Sequence, residues 1–512
     1  MAFEPNYEKL VASFRKNLSV NQAKVEVKLA TIEGEEVKSI LCSSAKVHIS
    51  QAEQNGNTIN YSGEVNFQVI YESTMGNIEG LDYTAEFSDK YMADSVESVT
   101  VPIVDSTVID VDVSVLNPTT LSAVAIVESK IDGIVNDSTQ VLVGVNSDNV
   151  YTNSENITYY NYLGKLFERY DFTQDIEIMD SVAKVLSVTP SVMIDTVKPA
   201  NDFVSVSGNV FVDMCYLTNE ENPTVRSYTT TVDFGMEVQL MGVNENSYVL
   251  STAYINTTDI KVTTNIEENK AIINLLLPIV YNGTVFNKNN VENIVDLYST
   301  TNELNVVSSS IESIVPCDAV STMEKINGSV MVEDSFVDEV LGNCCNYVSV
   351  TATYIDEDAV VVEGVASTTV LYYNKEENSK NSIIVEMPFA TRVKVDRLKG
   401  DPVVVANSVM SDISTKSKRG QEIEVFAKLY LYVDIYCKET SAVISEVTVG
   451  EEKLQSDCAI KIHIVRENET LWDIAKELGT SVDELMSQNE NLELPLKEND
   501  RVFLYNQRVM EF

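Results

Sequence analysis

Three segments of the chain carry nearly the same phrase, and this internal repeat limits the possible fold more than any other feature. The phrases read INYSGEVNFQVIYES, VSVSGNVFVDMCYLT and VVVEGVASTTVLYYN. The glycines are 145 and 156 residues apart, which is the spacing of whole domains rather than of a solenoid. Each copy has a glycine, a tyrosine eight residues later and a phenylalanine further on: Gly63, Tyr71 and Phe87; Gly208, Tyr216 and Phe234; Gly364, Tyr372 and Phe389.

The sequence around these segments is typical of β-strands. Val, Thr, Ile, Ser and Tyr alternate, and Asn, Gly and Asp mark the turns. Each phrase predicts an apolar strand, the glycine at a bulge, bend or close backbone approach, and a second strand that ends at the tyrosine. The repeated aromatic residues are most simply core. One early segment differs, because Leu10, Val11 and Phe14 share one helical face and predict a helix over 7–18.

These patterns divide the chain into five parts. We expect an N-terminal helix or arm, three β-rich domains of the sandwich or barrel kind, and a small C-terminal unit. Three joining segments are expected: 153–172, partly helical, a short one near 314–317, and a charged one at 447–457. The expected bounds are 1–20, 21–154, 155–314, 315–457 and 458–512.

The last stretch changes from strand to helical period. Ile462 and Ile464 alternate with polar residues and predict a strand. A helix with its N-cap at Thr470 and its end at Gly479 follows, and Ser481 begins a second helix. The segment 501–505 closes as a strand, so the order is β-α-α-β. The first helix has one apolar face: Leu471, Ile474, Ala475 and Leu478.

At these residues the sequence resembles the LysM family. The matching positions are Val465, Thr470, Leu471, Ile474, Ala475, Leu485 and Asn489, whereas Asn468-Glu469 replaces the usual Gly-Asp and Asn499-Asp500 replaces a usual glycine. The resemblance implies a ligand groove, whose residues we expect to bind a partner. Trp472 should lie at the edge of the apolar face, partly exposed, and either covers the core or anchors the partner. The predicted groove comprises Asn468, Glu469, Thr470, Trp472, Asn489, Glu490, Asn491 and Leu492.

Charge and composition exclude several classes of protein. The formal net charge of −42 opposes binding to nucleic acid phosphates and to anionic membranes. No apolar run reaches the 18 residues expected of a membrane span, and the first 20 residues lack the apolar core of a signal peptide. Seven cysteines, an odd number in a long chain, do not predict a disulfide framework. We therefore expect reduced thiols in the cytoplasm.

Residues of catalytic type are few. The two histidines, His48 and His463, lie in alternating strands and are expected to face solvent. There is no phosphate-binding loop. The adjacent pair Cys344 and Cys345 has no CxxC partner, so free thiols are expected rather than a metal site. No enzyme activity, cofactor or metal is predicted.

The tripled phrase, together with the LysM-like end, resembles the SPOCS domains of the SipL family of coat morphogenetic proteins from endospore-forming bacteria. Unrelated β-sandwich arrays share the composition but not the C-terminal unit. The resemblance implies a scaffold that acts in the mother cell at the forespore surface, with other coat proteins and a coat morphogenetic ATPase of the SpoIVA type as partners. The alternative is a protein that binds the N-acetylglucosamine polymers of cell wall or spore cortex.

Overall fold

The computed structural model describes residues 3–220, 223–267, 270–333, 336–395, 402–454 and 458–505. Its first 450 residues are almost entirely strand. The mainly β fold expected from the alternating sequence is confirmed.

The first repeat forms two antiparallel sheets that enclose one core. In one sheet β3 lies between β2 and β4, and in the other β6 lies between β1 and β5. Val65 and Phe67 of β3 meet Leu121 and Val127 of β6 in that core. Alternating side chains supply the two inner faces, as in other β-sandwiches. The strands are β1 (Glu4–Ala30), β2 (Val37–Asn55), β3 (Thr58–Ser73), β4 (Ile78–Met92), β5 (Val99–Asn117) and β6 (Thr120–Asn146).

The second repeat has the same order, except that two short strands stand where the first repeat has β5. In one sheet β9 lies between β8 and β10, and in the other β13 pairs with β7, β11 and β12. The strands are β7 (Val150–Ile178), β8 (Val182–Ala200), β9 (Phe203–Thr218), β10 (Val225–Gln239), β11 (Tyr248–Ile255), β12 (Lys261–Glu267) and β13 (Lys270–Ser299).

The third repeat restores the six-strand pattern, with β16 between β15 and β17, and β19 between β14 and β18. Strand order is thus kept three times, as the tandem repeat in the sequence predicts. The strands are β14 (Asn302–Met331), β15 (Glu339–Asp356), β16 (Ala359–Asn374), β17 (Ser379–Lys394), β18 (Pro402–Lys418) and β19 (Glu422–Glu452).

The helix expected over 7–18 is wrong, because this segment lies within β1. Leu10 and Ala12 are buried whereas Val11 is 37% exposed, which is the two-residue period of a strand. β1 pairs with β6 along its whole length. A local apolar pattern compatible with a helix is thus overridden by a partner strand more than a hundred residues away.

The expected joining segments are also strands. The segment 153–172 lies in β7, which pairs with β13, and 314–317 lies in β14, so the expected boundaries after 154 and after 314 fall inside strands. Of the segment 447–457, β19 includes the part up to Glu452, and 455–457 lie outside the described residues. Each repeat therefore begins with a long first strand. The sequence predicted an arm or a joining segment at these places.

The small C-terminal unit has the predicted β-α-α-β order. Thr470 caps the first helix in a reciprocal capping box with Asp473, Gly479 ends it with φ 74°, and Ser481 caps the second. The elements are β20 (Ile460–Ile464), α1 (Leu471–Leu478), α2 (Val482–Gln488) and β21 (Arg501–Tyr505).

The three repeats share apolar clusters where they meet. One cluster joins Ile134 of repeat 1, Phe286 of repeat 2 and Tyr436 of repeat 3. A second joins Leu10, Val291 and Val443, which again come from all three repeats. Burial between repeats therefore adds to the core that each repeat forms within itself.

Candidate functional site

The nine repeat positions lie in the cores of the three sandwiches. Each tyrosine and phenylalanine of the set is at most 7% exposed. Each glycine lies inside one continuous strand, not between two strands as the sequence suggested, and is paired directly with the phenylalanine of the next strand. These residues hold the fold and offer no open surface, so the candidate site is in the C-terminal unit.

The C-terminal unit has a small core between its two helices and its two-stranded sheet. Val465, Ile474, Ala475, Leu485 and Val502 are buried there. Asn489, predicted to line the groove, is also buried. Its side chain donates to the carbonyl oxygens of Leu485 (2.8 Å) and Phe503 (2.6 Å) and accepts from Phe503 N–H (2.9 Å). The Asn489 side chain therefore links α2 to β21 by hydrogen bonds.

Three further groove candidates have structural contacts of their own. Thr470 is the N-cap of α1 and Leu492 packs against the core. The side chain of Glu469 turns inward, where it accepts from Arg466 N–H (2.8 Å) and lies 2.9 Å from His463 Nε2. Burial alone would raise the pKa of Glu469, but these hydrogen bonds lower it below its ordinary value. Of the predicted groove, Asn468, Thr470, Glu490 and Asn491 are exposed.

Trp472 is half-buried, and its contacts are made within the chain. Its indole N–H donates to Asp296 Oδ2 (2.7 Å), and its ring meets the Tyr298 ring edge-on at 4.9 Å. Lys476 of the same helix also binds Asp296, at 2.6 Å. Tyr298 O–H donates to the carbonyl oxygen of Thr480 at 2.7 Å. Trp472 therefore docks α1 onto β13 of the second repeat and does not stand in an open groove.

Both histidines are buried or nearly so, which corrects the expectation that they face solvent. His463 is 7% exposed and contacts Glu469. His48 stacks on Tyr254 of repeat 2 with ring centres 5.2 Å apart, and burial lowers its pKa. In β20 the polar His463 points inward to Glu469, so the alternating isoleucines must point outward.

This inversion gives the C-terminal unit an exposed apolar sheet face. Ile460, Ile462 and Ile464 of β20 are 50%, 59% and 57% exposed. Across the register, Ile460 pairs with Tyr505, which is 39% exposed, and Ile462 pairs with the half-buried Phe503. We call these five residues the outer sheet face. The sequence did not predict this face, because His463 was expected to face solvent and the isoleucines alternate with it.

Comparison with known proteins identifies two kinds of domain in the chain. A family model described as the SipL SPOCS domain matches residues 36–116 and 181–263, and one described as the LysM domain matches residues 463–496. The chain therefore contains SPOCS domains and a C-terminal LysM domain. The two SPOCS matches span β2 to β5 and β8 to β12. No curated protein and no solved structure matches the chain.

The third repeat extends the SPOCS pattern beyond the matched residues, since β15 to β18 follow the strand order of β2 to β5. SPOCS and LysM domains are binding and scaffold modules rather than catalytic ones. The SPOCS domains relate the chain to sporulation, and the LysM domain is a module of the peptidoglycan-binding type. None of the helices that the structure describes has the length and apolar character needed to cross a membrane.

Proposed function

We propose that this SPOCS–LysM chain is a non-enzymatic scaffold of spore coat assembly. Its LysM domain binds a coat morphogenetic ATPase of the SpoIVA type and tethers coat proteins at the forespore surface, on the mother-cell side. The observation that carries this proposal is the outer sheet face. The SPOCS repeats pack against one another through shared apolar clusters, and the LysM domain presents that face away from the helix by which it is docked.

An apolar face of this kind favours a protein partner. Ile460, Ile462 and Ile464 together with Phe503 and Tyr505 form one contiguous surface on a sheet of ten residues. Contiguous exposed apolar surface marks sites of association rather than ordinary solvent-facing surface. The chain as a whole carries a net charge of −42, so a partner with basic residues around an apolar centre is favoured electrostatically.

Glycan binding is the second candidate, because the LysM domain itself is of that type. Asn468, Glu490 and Asn491 keep exposed polar side chains where a sugar could bind. Against it, the indole of Trp472 is engaged by Asp296 and Tyr298, and Glu469 is directed inward. The groove therefore lacks a free aromatic side chain on which a sugar ring could stack.

The two candidates are separated by changing the outer sheet face in the full chain. We expect Ile462→Glu to weaken binding to the purified ATPase at least tenfold, about 1.4 kcal/mol, in a biolayer interferometry titration. Leu494→Glu is the matched control, because Leu494 is equally exposed, at 60%, but lies outside the sheet. Binding by Ile462→Glu that equals the wild type would remove this face from the interface.

A pull-down on insoluble peptidoglycan completes the comparison. The scaffold proposal expects little retention of the wild-type chain and no change on Ile462→Glu. Strong retention that falls on changing Asn491, with ATPase binding absent, would instead support the glycan candidate.

A further inference from the structure

Four of the seven cysteines come together where the three repeats meet. Cys42 belongs to β2 of repeat 1, Cys215 to β9 of repeat 2, and Cys344 and Cys345 to β15 of repeat 3. The Sγ atoms of Cys42, Cys344 and Cys345 all lie within 4.8 Å of one another. Cys215 lies next to Cys344, and its thiol donates to the carbonyl oxygen of Asn343 at 2.9 Å. Residues separated by up to 303 positions in the chain therefore form a single group of thiols.

The backbone of β15 is shaped so that two adjacent thiols point to the same place. Successive side chains in a strand point to opposite faces. Here the pairing of β15 with β16 shifts between Cys344 and Tyr347, and Cys345 has φ 53°. A non-glycine residue in this left-handed region is strained, and such strain collects at functional sites. The bulge turns Cys345 toward Cys42 instead of toward the opposite face.

The surroundings of the thiols are largely apolar. Leu41, Ile70, Leu186 and Leu371 pack around them, and of the four cysteines only Cys345 is partly exposed. A hydrogen bond holds the bulge in place, since Thr368 Oγ1 donates to Asn346 Oδ1 (2.7 Å) and lies 3.4 Å from the Cys344 carbonyl oxygen. The bulge thus brings the thiols of Cys344 and Cys345 together, as expected of a preformed set of metal ligands.

Two cavities and a buried carboxylate lie beside the thiols. A cavity of about 10 Å³ touches Cys215, Cys344 and Cys345, and it shares lining residues with a second cavity of about 220 Å³. Asp213 lines both cavities. Its Oδ1 is buried and has no hydrogen-bond partner among the residues that the structure describes. A buried carboxylate is costly without compensation, and that of Asp213 is compensated in part by the Lys46 ammonium and by a hydrogen bond from Asn346.

We propose that Cys42, Cys344 and Cys345 bind one Zn²⁺ ion, and that Cys215 becomes the fourth ligand when its thiol turns from the Asn343 carbonyl oxygen, so that the ion ties the three SPOCS repeats together. Zinc in structural sites is held tetrahedrally by sulfur at about 2.3 Å, which places neighbouring sulfur atoms about 3.8 Å apart. The observed spread of the three thiols needs only a small contraction to reach that geometry. Binding requires loss of the thiol protons, so the ion replaces S–H groups by Zn–S bonds and releases protons to solvent.

The proposal is tested by metal binding to the reduced, full-length chain. After treatment with a chelator under reducing conditions, we expect titration with Co²⁺ to produce thiolate-to-cobalt charge-transfer absorption that saturates at one ion per chain. Zn²⁺ should displace the cobalt and raise the melting temperature. Cys345→Ser should weaken Zn²⁺ binding at least tenfold in competition with a chromophoric chelator. Cys458→Ser, a change at an exposed cysteine outside the group, is the matched control and should bind as the wild type does.

A second measurement needs no variant and guards against misfolding of Cys345→Ser. Alkylation during a brief exposure to a urea concentration that opens the metal-free chain, mapped by mass spectrometry, should be suppressed by Zn²⁺ at Cys42, Cys215, Cys344 and Cys345 but not at the exposed Cys458. Equal labelling of the four cysteines with and without Zn²⁺, or Co²⁺ spectra that lack the charge-transfer band while the thiols are shown to be reduced, would overturn the proposal. Recovery of a Cys42–Cys345 disulfide as the stable form after zinc loading would also overturn it, in favour of a redox pair.

Discussion

At the scale of single residues, the repeated glycines lie where no side chain fits. Gly63, Gly208 and Gly364 each face a bulge in the preceding strand of their sheet. A Cβ added at Gly208 would lie 2.1 Å from the carbonyl oxygen of Met193, and the same clash recurs in the other two copies. The contacting atom belongs to the backbone, so a side chain cannot turn away to relieve the overlap.

We therefore expect Gly208→Ala to destabilise the chain by about 1–3 kcal/mol, the usual cost of overpacking. Gly235→Ala is the matched control in the neighbouring strand, because its Cβ would meet only the Val206 oxygen at 3.9 Å. That change should be neutral or slightly stabilising. Urea unfolding of both variants measures the difference, and equal midpoints would show that the close approach relaxes without cost.

A buried carboxyl at the meeting point of the repeats makes stability depend on pH. Asp434 of β19 accepts a hydrogen bond from Tyr248 O–H of repeat 2 at 2.8 Å, and the Arg15 guanidinium of repeat 1 acts on it electrostatically. Burial raises the pKa of Asp434 from 3.8 to about 7, although the tyrosine and arginine both oppose this shift. The folded chain thus holds this proton more tightly than the unfolded chain does.

Stability from Asp434 is consequently present at low pH and is lost as pH rises from 3.8 through about 7. Asp434→Asn keeps an acceptor for Tyr248 but removes the titration. Relative to the wild type, the variant should gain more than about 1 kcal/mol in unfolding free energy between about pH 5.5 and about pH 8. Denaturant titrations of both proteins at the two pH values measure this gain. A difference that does not change with pH would mean that Asp434 is already ionised when folded.

At the scale of elements, the residues on the apolar face of the LysM helix α1 differ in burial, although the sequence pattern treats them alike. Leu471 and Ile474 both belong to the apolar face predicted from the three-and-four spacing. Ile474 is fully buried in the LysM core, whereas Leu471 is only half-buried at the start of the helix. The core is small, so the loss of one buried side chain is a large part of its stability.

Ile474→Ala should destabilise the LysM domain by roughly 2–5 kcal/mol, because it leaves a cavity in a packed core. Leu471→Ala should cost clearly less than Ile474→Ala. Hydrogen exchange of α1 and α2 amides in the full chain measures both. A larger loss of protection for Leu471→Ala than for Ile474→Ala would contradict this account of the helix face.

At the scale of the whole molecule, the SPOCS repeats and the LysM domain contact one another directly instead of being separate domains joined only by linkers. The three SPOCS repeats share apolar clusters, and the LysM domain is attached by Asp296 and Tyr298 of β13. That attachment sets which LysM surface is available: α1 faces the repeats and the outer sheet face points away. The position of the LysM domain is therefore part of the proposed function.

Trp472 is the only tryptophan, so its fluorescence reports this attachment directly. Asp296→Ala removes the acceptor of the indole N–H and the partner of Lys476. We expect its emission to shift to longer wavelength and its quenching by acrylamide to increase. Glu292→Ala on the same strand, a carboxylate that contacts Ser154 instead of the LysM domain, is the control and should leave the emission unchanged. Unaltered emission in Asp296→Ala would mean that the tyrosine contact alone holds the domain.

The repeated phrase, the alternation of β-branched residues and the capped helices near the end were enough to predict three β-rich domains followed by a LysM domain. These signals are local: each depends on residues within one strand, one turn or one helix. The helical reading of 7–18 failed although it used the same kind of signal, because β1 takes its form from β6, which pairs with it from the far end of the repeat.

Other features depend on contacts that no local pattern contains. The outward direction of Ile460, Ile462 and Ile464 follows from Glu469 drawing His463 inward. The docking of Trp472 needs Asp296, 176 positions earlier. The four thiols share a site because three repeats close around one point. Residues that are distant in sequence meet only when the sheets pack, so these features were decided by the tertiary structure.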